Sequence, residues 1–232
     1  MLTGIKKFFK PLKTQYIYHY NELPFTEQLE KLIPDLTSDF LQVHNDLSNV
    51  HPKKEFDNTI PFHGQHQKSG WRSIGIKFYN KWEGSEEEIK RKYPTAYKIV
   101  KMFGKDCPLA SYSVLKSNGH IKLHHGLEQD YDSNYLRIHI PLIVPQGNTD
   151  VLAFEVMGEK IGWNHIWGFI NSGLHHAYNK TQQDRLVFLI DIDKKVLGQK
   201  PNNFNMFKSD SLETLRLHIN RIIKLLYFWL KS

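Results

Sequence analysis

At Ala110 the hydrophobic period of this chain changes. From there to Asp193 the apolar runs are short, rich in β-branched and aromatic residues, and bounded by turn chemistry. They read "ASYSVLKS", "HIKLHH", "YLRIHIPLIV", "DVLAFEVMGEKIGW", "HIWGFIN" and "RLVFLIDID", separated by "SNG", "EQDYDSN", "PQGN" and "NKTQQD". Six such segments predict a mainly β protein, a sandwich or barrel with flanking helices.

The first hundred residues read as helical or irregular. "LPFTEQLEKLIPDLTSDFLQVHNDL" carries an apolar stripe with Thr26 as its expected N-cap. "GSEEEIKRKYPTAYKIVKMFG" opens on Ser85 and three glutamates, is interrupted or restarted by Pro94, and stops at Gly104. "GWRSIGIKFY" between them suits a strand. With no repeat, low-complexity stretch or linker in 232 residues, the expectation is one domain over 1–232. Residues 1–109 form helical and irregular support, 110–195 the β core with the site, and 205–232 a C-terminal amphipathic helix.

The formal charge of +7 suits an anionic partner without choosing one, and the single cysteine, Cys107, excludes an internal disulfide. No run of apolar residues is long enough to span a bilayer, so a cytoplasmic chain is expected. Both ends are basic and amphipathic, "GIKKFFKPLK" and "LETLRLHINRIIKLLYFWLKS", which admits peripheral membrane contact. Ordinary packing of both ends on the barrel is the reading favoured here.

In "YLRIHIPLIV" the alternation is clean: Leu136, Ile138, Ile140 and Leu142 face one way, Tyr135, Arg137, His139 and Pro141 the other. A guanidinium and an imidazole on one inward face require an anion or polar ligand. Arg185, at the head of "RLVFLIDID", suits a bidentate grip on a carboxylate. Imidazole ligands are available in "HHG", His124 and His125, and in "LHHAYN", His175 and His176. Neighbours on a strand face opposite ways, so one histidine of each pair at most reaches a shared metal. Two nitrogen ligands with open positions fit non-haem Fe(II) better than a closed, cysteine-rich zinc site.

In four ordered motifs, "YSVLKSNGHIKLHHG", "LRIHIPL", "HHAYN" and "DRLVFLID", the stretch from Tyr112 to Asp191 resembles the aspartyl/asparaginyl β-hydroxylase family of Fe(II)- and 2-oxoglutarate-dependent dioxygenases. The resemblance implies a double-stranded β-helix, the jelly-roll or cupin-like fold. It implies Fe(II), 2-oxoglutarate and O2 as the reaction's requirements. By position it implies His124 and His175 as iron ligands, Arg185 on the distal carboxylate of 2-oxoglutarate, Ser113 and His139 beside the same cosubstrate, and Arg137 facing substrate. Gly126 stands where many such oxygenases carry the third, carboxylate ligand; water, chloride, Glu128 or Asp130 are the alternatives there. "FINSGLHH" also lacks the acidic residues that many members have before the second histidine.

The expected reaction is hydroxylation of an unactivated C–H bond in an amino-acid, peptidyl Asp/Asn-like or related acidic substrate. Alternatives are a lipid A-type acyl-chain hydroxylase, a halogenase using the vacancy left by Gly126, and a non-catalytic β-barrel that binds a partner and keeps Arg137 and Arg185 in structural ion pairs. A nucleic-acid substrate is the weaker reading, since Trp71, Trp82, Trp163 and Trp167 sit at strand-like positions that usually belong to a core. His63 and His66 read as surface residues, His165 and His176 as turned away from iron, Cys107 as buried and inert, and Asn179 as support for the turn after the second ligand.

Overall fold

A computed structural model of the chain describes residues 15–45, 70–125 and 134–198. The chain divides into two compact units, Met1–Lys200 and Pro201–Ser232, and every described residue belongs to the first. Both basic ends, the expected C-terminal helix, His63, His66, Gly126, Glu128 and Asp130 lie outside the described residues.

The described elements run β1 (Ile17–Tyr18), α1 (Thr26–Glu30), α2 (Ile33–His44), β2 (Trp71–Phe78), β3 (Lys81–Trp82), α3 (Glu86–Lys92) and α4 (Pro94–Phe103). There follow β4 (Leu109–Leu115), β5 (Gly119–His124), β6 (Tyr135–Ile143), β7 (Leu152–Val156), β8 (Glu159–Ile161), β9 (Trp167–Ile170), β10 (His175–Asn179) and β11 (Arg185–Asp193). The strands form a seven-stranded sheet, β1-β9-β6-β11-β4-β2-β3, and a four-stranded sheet, β5-β10-β7-β8. Every strand pairing among the described residues is antiparallel. This is the mainly β sandwich that the alternating segments predict, in the jelly-roll form that the family resemblance implies.

Alternation along the strands divides the apolar side chains into two cores. From β11, Leu186, Phe188, Ile190 and Ile192 join Leu36 and Phe40 of α2 and Ile99 of α4. Val187 and Leu189, pointing the other way, join Leu115, Phe154, Trp163, Trp167 and Phe169 between the sheets. β11 is therefore buried on both faces, which explains its nearly unbroken run of apolar residues.

Local chemistry sets the boundaries. Ser85 caps α3 by accepting from Glu88 N at 3.1 Å, Pro94 restarts the chain as α4, and Gly104 closes it at φ 59. Thr26 is not an N-cap: it is the first residue of α1, and its hydroxyl turns back to donate to the carbonyls of Leu23 and Tyr20. The segment "DVLAFEVMGEKIGW" is a hairpin and not one strand, because Met157 and Gly158, both at positive φ, supply a tight turn between β7 and β8. Residues 1–109 are also more than support, since β2 pairs with β4 inside the large sheet and β1 with β9. No helix among the described residues is long and apolar enough to cross a membrane.

The start of α4 is capped at long range. Asp39 of α2, buried, accepts from Thr95 N at 2.6 Å and Ala96 N at 3.3 Å, so one carboxylate satisfies two N-terminal amides and locks the helix pair. Asp39→Ala is expected to cost about 2 kcal/mol, the upper range for a lost cap. Urea unfolding monitored by circular dichroism reads this as a lower midpoint with an unchanged slope.

Candidate active site between the sheets

Register defines the inward face of the large sheet. Leu189 pairs with His139 and Asp191 with Arg137, while Val187 lies opposite Ser113 and Arg185 opposite Leu115. Directly paired residues share a face, so Arg185, Ser113, His139 and Arg137 all look toward the small sheet. That sheet brings the two histidines together: His175 of β10 pairs with His124 of β5, with ring centroids 4.1 Å apart.

Both imidazoles are set by their own strands. His124 Nδ1 lies 2.7 Å from Lys122 O, and His175 Nδ1 lies 2.7 Å from Gly173 O. A carbonyl can only accept, so each Nδ1 carries the hydrogen and each Nε2 keeps its lone pair, the tautomer suited to a metal. Burial pulls both pKa values down against the opposing effect of these carbonyls, and the nearby His124 and Arg137 lower His175 further. Both rings are thus held neutral. No group of three His, Cys, Asp or Glu side chains that could hold a metal forms among the described residues.

Arg185 is 1% exposed, yet its Nε and Nη1 find no hydrogen-bond partner among the described residues. The nearest acid in sequence, Asp184, is turned to the β4–β5 connection, where it holds Lys116 Nζ at 2.6 Å and Ser117 N at 2.7 Å. Burial pulls the guanidinium down to about 9. Trp163 covers it, the ring centroid 4.2 Å from Cζ. His139, 3% exposed, lies in the same aromatic wall against Trp163, Trp167, Phe154 and Phe169, and its Nδ1 is unpartnered too. Burial, reinforced by Arg185 and Arg137, drives its pKa well below the histidine range. Ser113 accepts from Trp71 Nε1 at 2.9 Å, leaving its hydroxyl hydrogen for another acceptor.

A buried guanidinium with vacant N–H groups calls for an anion, and two Nε2 lone pairs on neighbouring rings can hold a cation. The residues present therefore fit an iron ion with a carboxylate-bearing cosubstrate. Arg137 differs: its Nε and Nη2 grip Asp191 at 2.7 and 2.8 Å, and its Nη1 reaches Asn171 Oδ1 at 3.2 Å. Asp191 and Arg185 stand at opposite ends of β11, six residues apart, or about 20 Å along an extended strand. One small anion cannot serve both arginines.

The expected site residues thus converge, with Arg137 already balanced by an acid. The expected bystanders also fall as expected: His176 pairs with Glu155 at 3.4 Å, His165 packs on Tyr20, and the Cys107 thiol is buried and pushed up to about 12. Asn179, fully buried, donates to the carbonyls of Leu115, Lys116 and Gln183, tying the end of β10 to the approach to Arg185. Sequence reasoning missed Asp191, Asn171 and the stacking of Trp163. Only Asp191 left a signal, its parity with Arg185 on the same strand.

A family model described as aspartyl/asparaginyl beta-hydroxylase matches residues 34–195. No curated protein matches the chain by sequence. Among solved structures, a prolyl-4-hydroxylase from Pseudomonas putida is similar at 11% identity and TM-score 0.46, over 78% of this chain and 93% of that one. A prolyl hydroxylase from Trichoplax adhaerens, in complex with a hypoxia inducible factor oxygen degradation domain peptide fragment, is similar at 12% identity and TM-score 0.45, over 73% and 83%. A 2OG-Fe(II) oxygenase family oxidoreductase from Burkholderia pseudomallei is similar at 11% identity and TM-score 0.35, over 53% and 65%.

The three neutral imidazoles make stability depend on pH. Above the ordinary histidine pKa of about 6.5 they cost nothing, and below it the unfolded chain takes up protons that the folded interior refuses. Metal-free protein is therefore expected to lose stability steadily as pH falls from 7.5 to 5. His139→Phe should flatten that slope, as read by denaturant unfolding at several pH values.

Proposed function

The chain belongs to the aspartyl/asparaginyl β-hydroxylase family, and from that premise we propose that His124 and His175 hold Fe(II) through Nε2 while Arg185 binds the distal carboxylate of 2-oxoglutarate. The protein is an enzyme, a dioxygenase of hydroxylase type. The observation that carries the residue assignment is Arg185, buried with vacant Nε and Nη1 and with its sequence-adjacent acid engaged elsewhere. A structural ion pair, the explanation available to a non-catalytic barrel, accounts for Arg137 and not for Arg185.

When bound, iron and 2-oxoglutarate supply O2 activation, with 2-oxoglutarate leaving as succinate and CO2 and an unactivated C–H bond hydroxylated. This chain's residues do the rest. Arg185 would neutralise the far carboxylate and so mark where the oxoacid ends. Ser113 offers a hydroxyl hydrogen on the same face, and His139 stays neutral in its aromatic wall. Phe154, Phe169, Trp163 and Trp167 exclude water, which strengthens each polar contact inside. His124 and His175 stay deprotonated at Nε2 because their Nδ1 hydrogens are committed to backbone.

The substrate meets the Arg137 end. Arg137 is charge-balanced by Asp191 and oriented by Asn171, close enough to lower the pKa of both His124 and His175. That supports an amino-acid or peptidyl substrate of Asp/Asn type, whose carboxylate or amide suits an oriented guanidinium. Gly126 supplies no carboxylate, so assays with and without chloride separate hydroxylation from halogenation.

Anaerobic titration with Fe(II) and 2-oxoglutarate is expected to give the visible charge-transfer band of the chelate, and His124→Ala should abolish it. Arg185→Met should remove 2-oxoglutarate-dependent stabilisation and yet raise the melting temperature of the ligand-free protein. Even a buried ion pair can often be replaced by apolar side chains with a gain of up to about 1–4 kcal/mol, and the Arg185 guanidinium has no acid to offset its burial among the described residues. A band unaffected by both substitutions, or wild-type protein indifferent to both components, would overturn the assignment.

A further inference from the structure

Trp163 belongs to two surfaces at once. Inside, its ring lies on the Arg185 guanidinium at 4.2 Å and runs nearly parallel to His139, at 12° and 5.4 Å. Outside, it lines a cleft of about 570 Å³ together with Val144, Gln146, Asn148 and Asn164. Neither Arg185 nor either metal-binding histidine lines that cleft, so the indole stands between it and the guanidinium. The ring is wedged by Trp167 at 5.5 Å and Phe154 at 6.1 Å, which leaves it little room to swing aside. Its buried Nε1 finds no partner among the described residues, like Nε and Nη1 of Arg185.

We propose that Trp163 sets the length of the 2-oxo dicarboxylate accepted at Arg185, by walling the guanidinium end of the pocket off from the outer cleft. The inference rests on the reading of Arg185 as the cosubstrate arginine. An oxoacid one methylene longer than 2-oxoglutarate must push its distal carboxylate past the guanidinium, into space the indole fills. Removing the ring joins the pocket to the cleft, where a longer acid has room and water reaches the arginine. A rigid wall of this kind discriminates one methylene by about 10- to 200-fold.

The test is calorimetric titration of the full-length protein, loaded with Mn(II) to avoid turnover, with 2-oxoglutarate and with 2-oxoadipate. Wild-type protein is expected to prefer 2-oxoglutarate by at least about tenfold, and Trp163→Ala to reduce the preference to about threefold or invert it. Trp163→Leu, which keeps much of the packed volume, should move the ratio the same way by a smaller amount and carries the test if the alanine variant does not fold. Arg185→Met, binding neither acid, ties the titration to this pocket. If wild-type protein binds 2-oxoglutarate through Arg185 while folded Trp163 variants keep its ratio, the wall is overturned and the cosubstrate reading stands. If wild-type protein binds neither acid, the cosubstrate reading itself fails and the wall falls with it.

Discussion

Holding a guanidinium in a protein interior without an acid beside it is costly, because the charge surrenders its hydration and receives little in return. The barrel is arranged around that cost. β11 must carry Arg185 inward while its alternate residues fill the helix-side core. Asp184 must be drawn away to Lys116 and Ser117, or it would neutralise its neighbour. Trp163 covers the charged plane with a π face, which softens the burial without using the N–H groups. Asn179, at the end of β10 away from His175, then ties that end to Leu115, the partner of Arg185 across β4 and β11.

The two arginines of the inward face show what the missing acid means. Arg137 has a bidentate carboxylate and a side-chain amide, so its orientation is fixed before any ligand arrives. Arg185 has the Trp163 ring over it and, among the described residues, no partner for Nε and Nη1, which under the proposed function an arriving carboxylate would complete. The same residue type therefore stands paired at one end of β11 and, in the proposed function, receives an anion at the other. The histidines between them are held neutral by burial and by backbone carbonyls, so the cationic charge of the interior is concentrated at its two ends.

Much of this was legible in the sequence, because period-two alternation determines faces as well as strands. "YLRIHIPLIV" announced that Arg137 and His139 share a face opposite the aliphatic residues, and their register with β11 agrees. Adjacent histidines on strands meant that one of each pair points inward, and His175 does while His176 meets Glu155. What the sequence concealed depends on register or on very short elements. The two-residue strands β1 and β3 are too brief to show a period, and the β7–β8 turn hides behind Met157, a residue that rarely adopts positive φ. Asp39 reaches Thr95 across 56 positions, and Trp163 reaches Arg185 from a bend between strands; neither contact has a local signature.

The opposed faces of β11 also bear on quality control during folding. A pairing error of one residue would send Arg185 and Asp191 into the helix-packed core and turn Phe188 and Ile190 toward the histidines. Such a chain would hold two unsolvated ions among hydrocarbon side chains. The residues of the proposed site thereby act as sentinels of strand alignment, penalising misassembled chains before any ligand is met. Selection for activity and selection against a slipped barrel then fall on the same few positions.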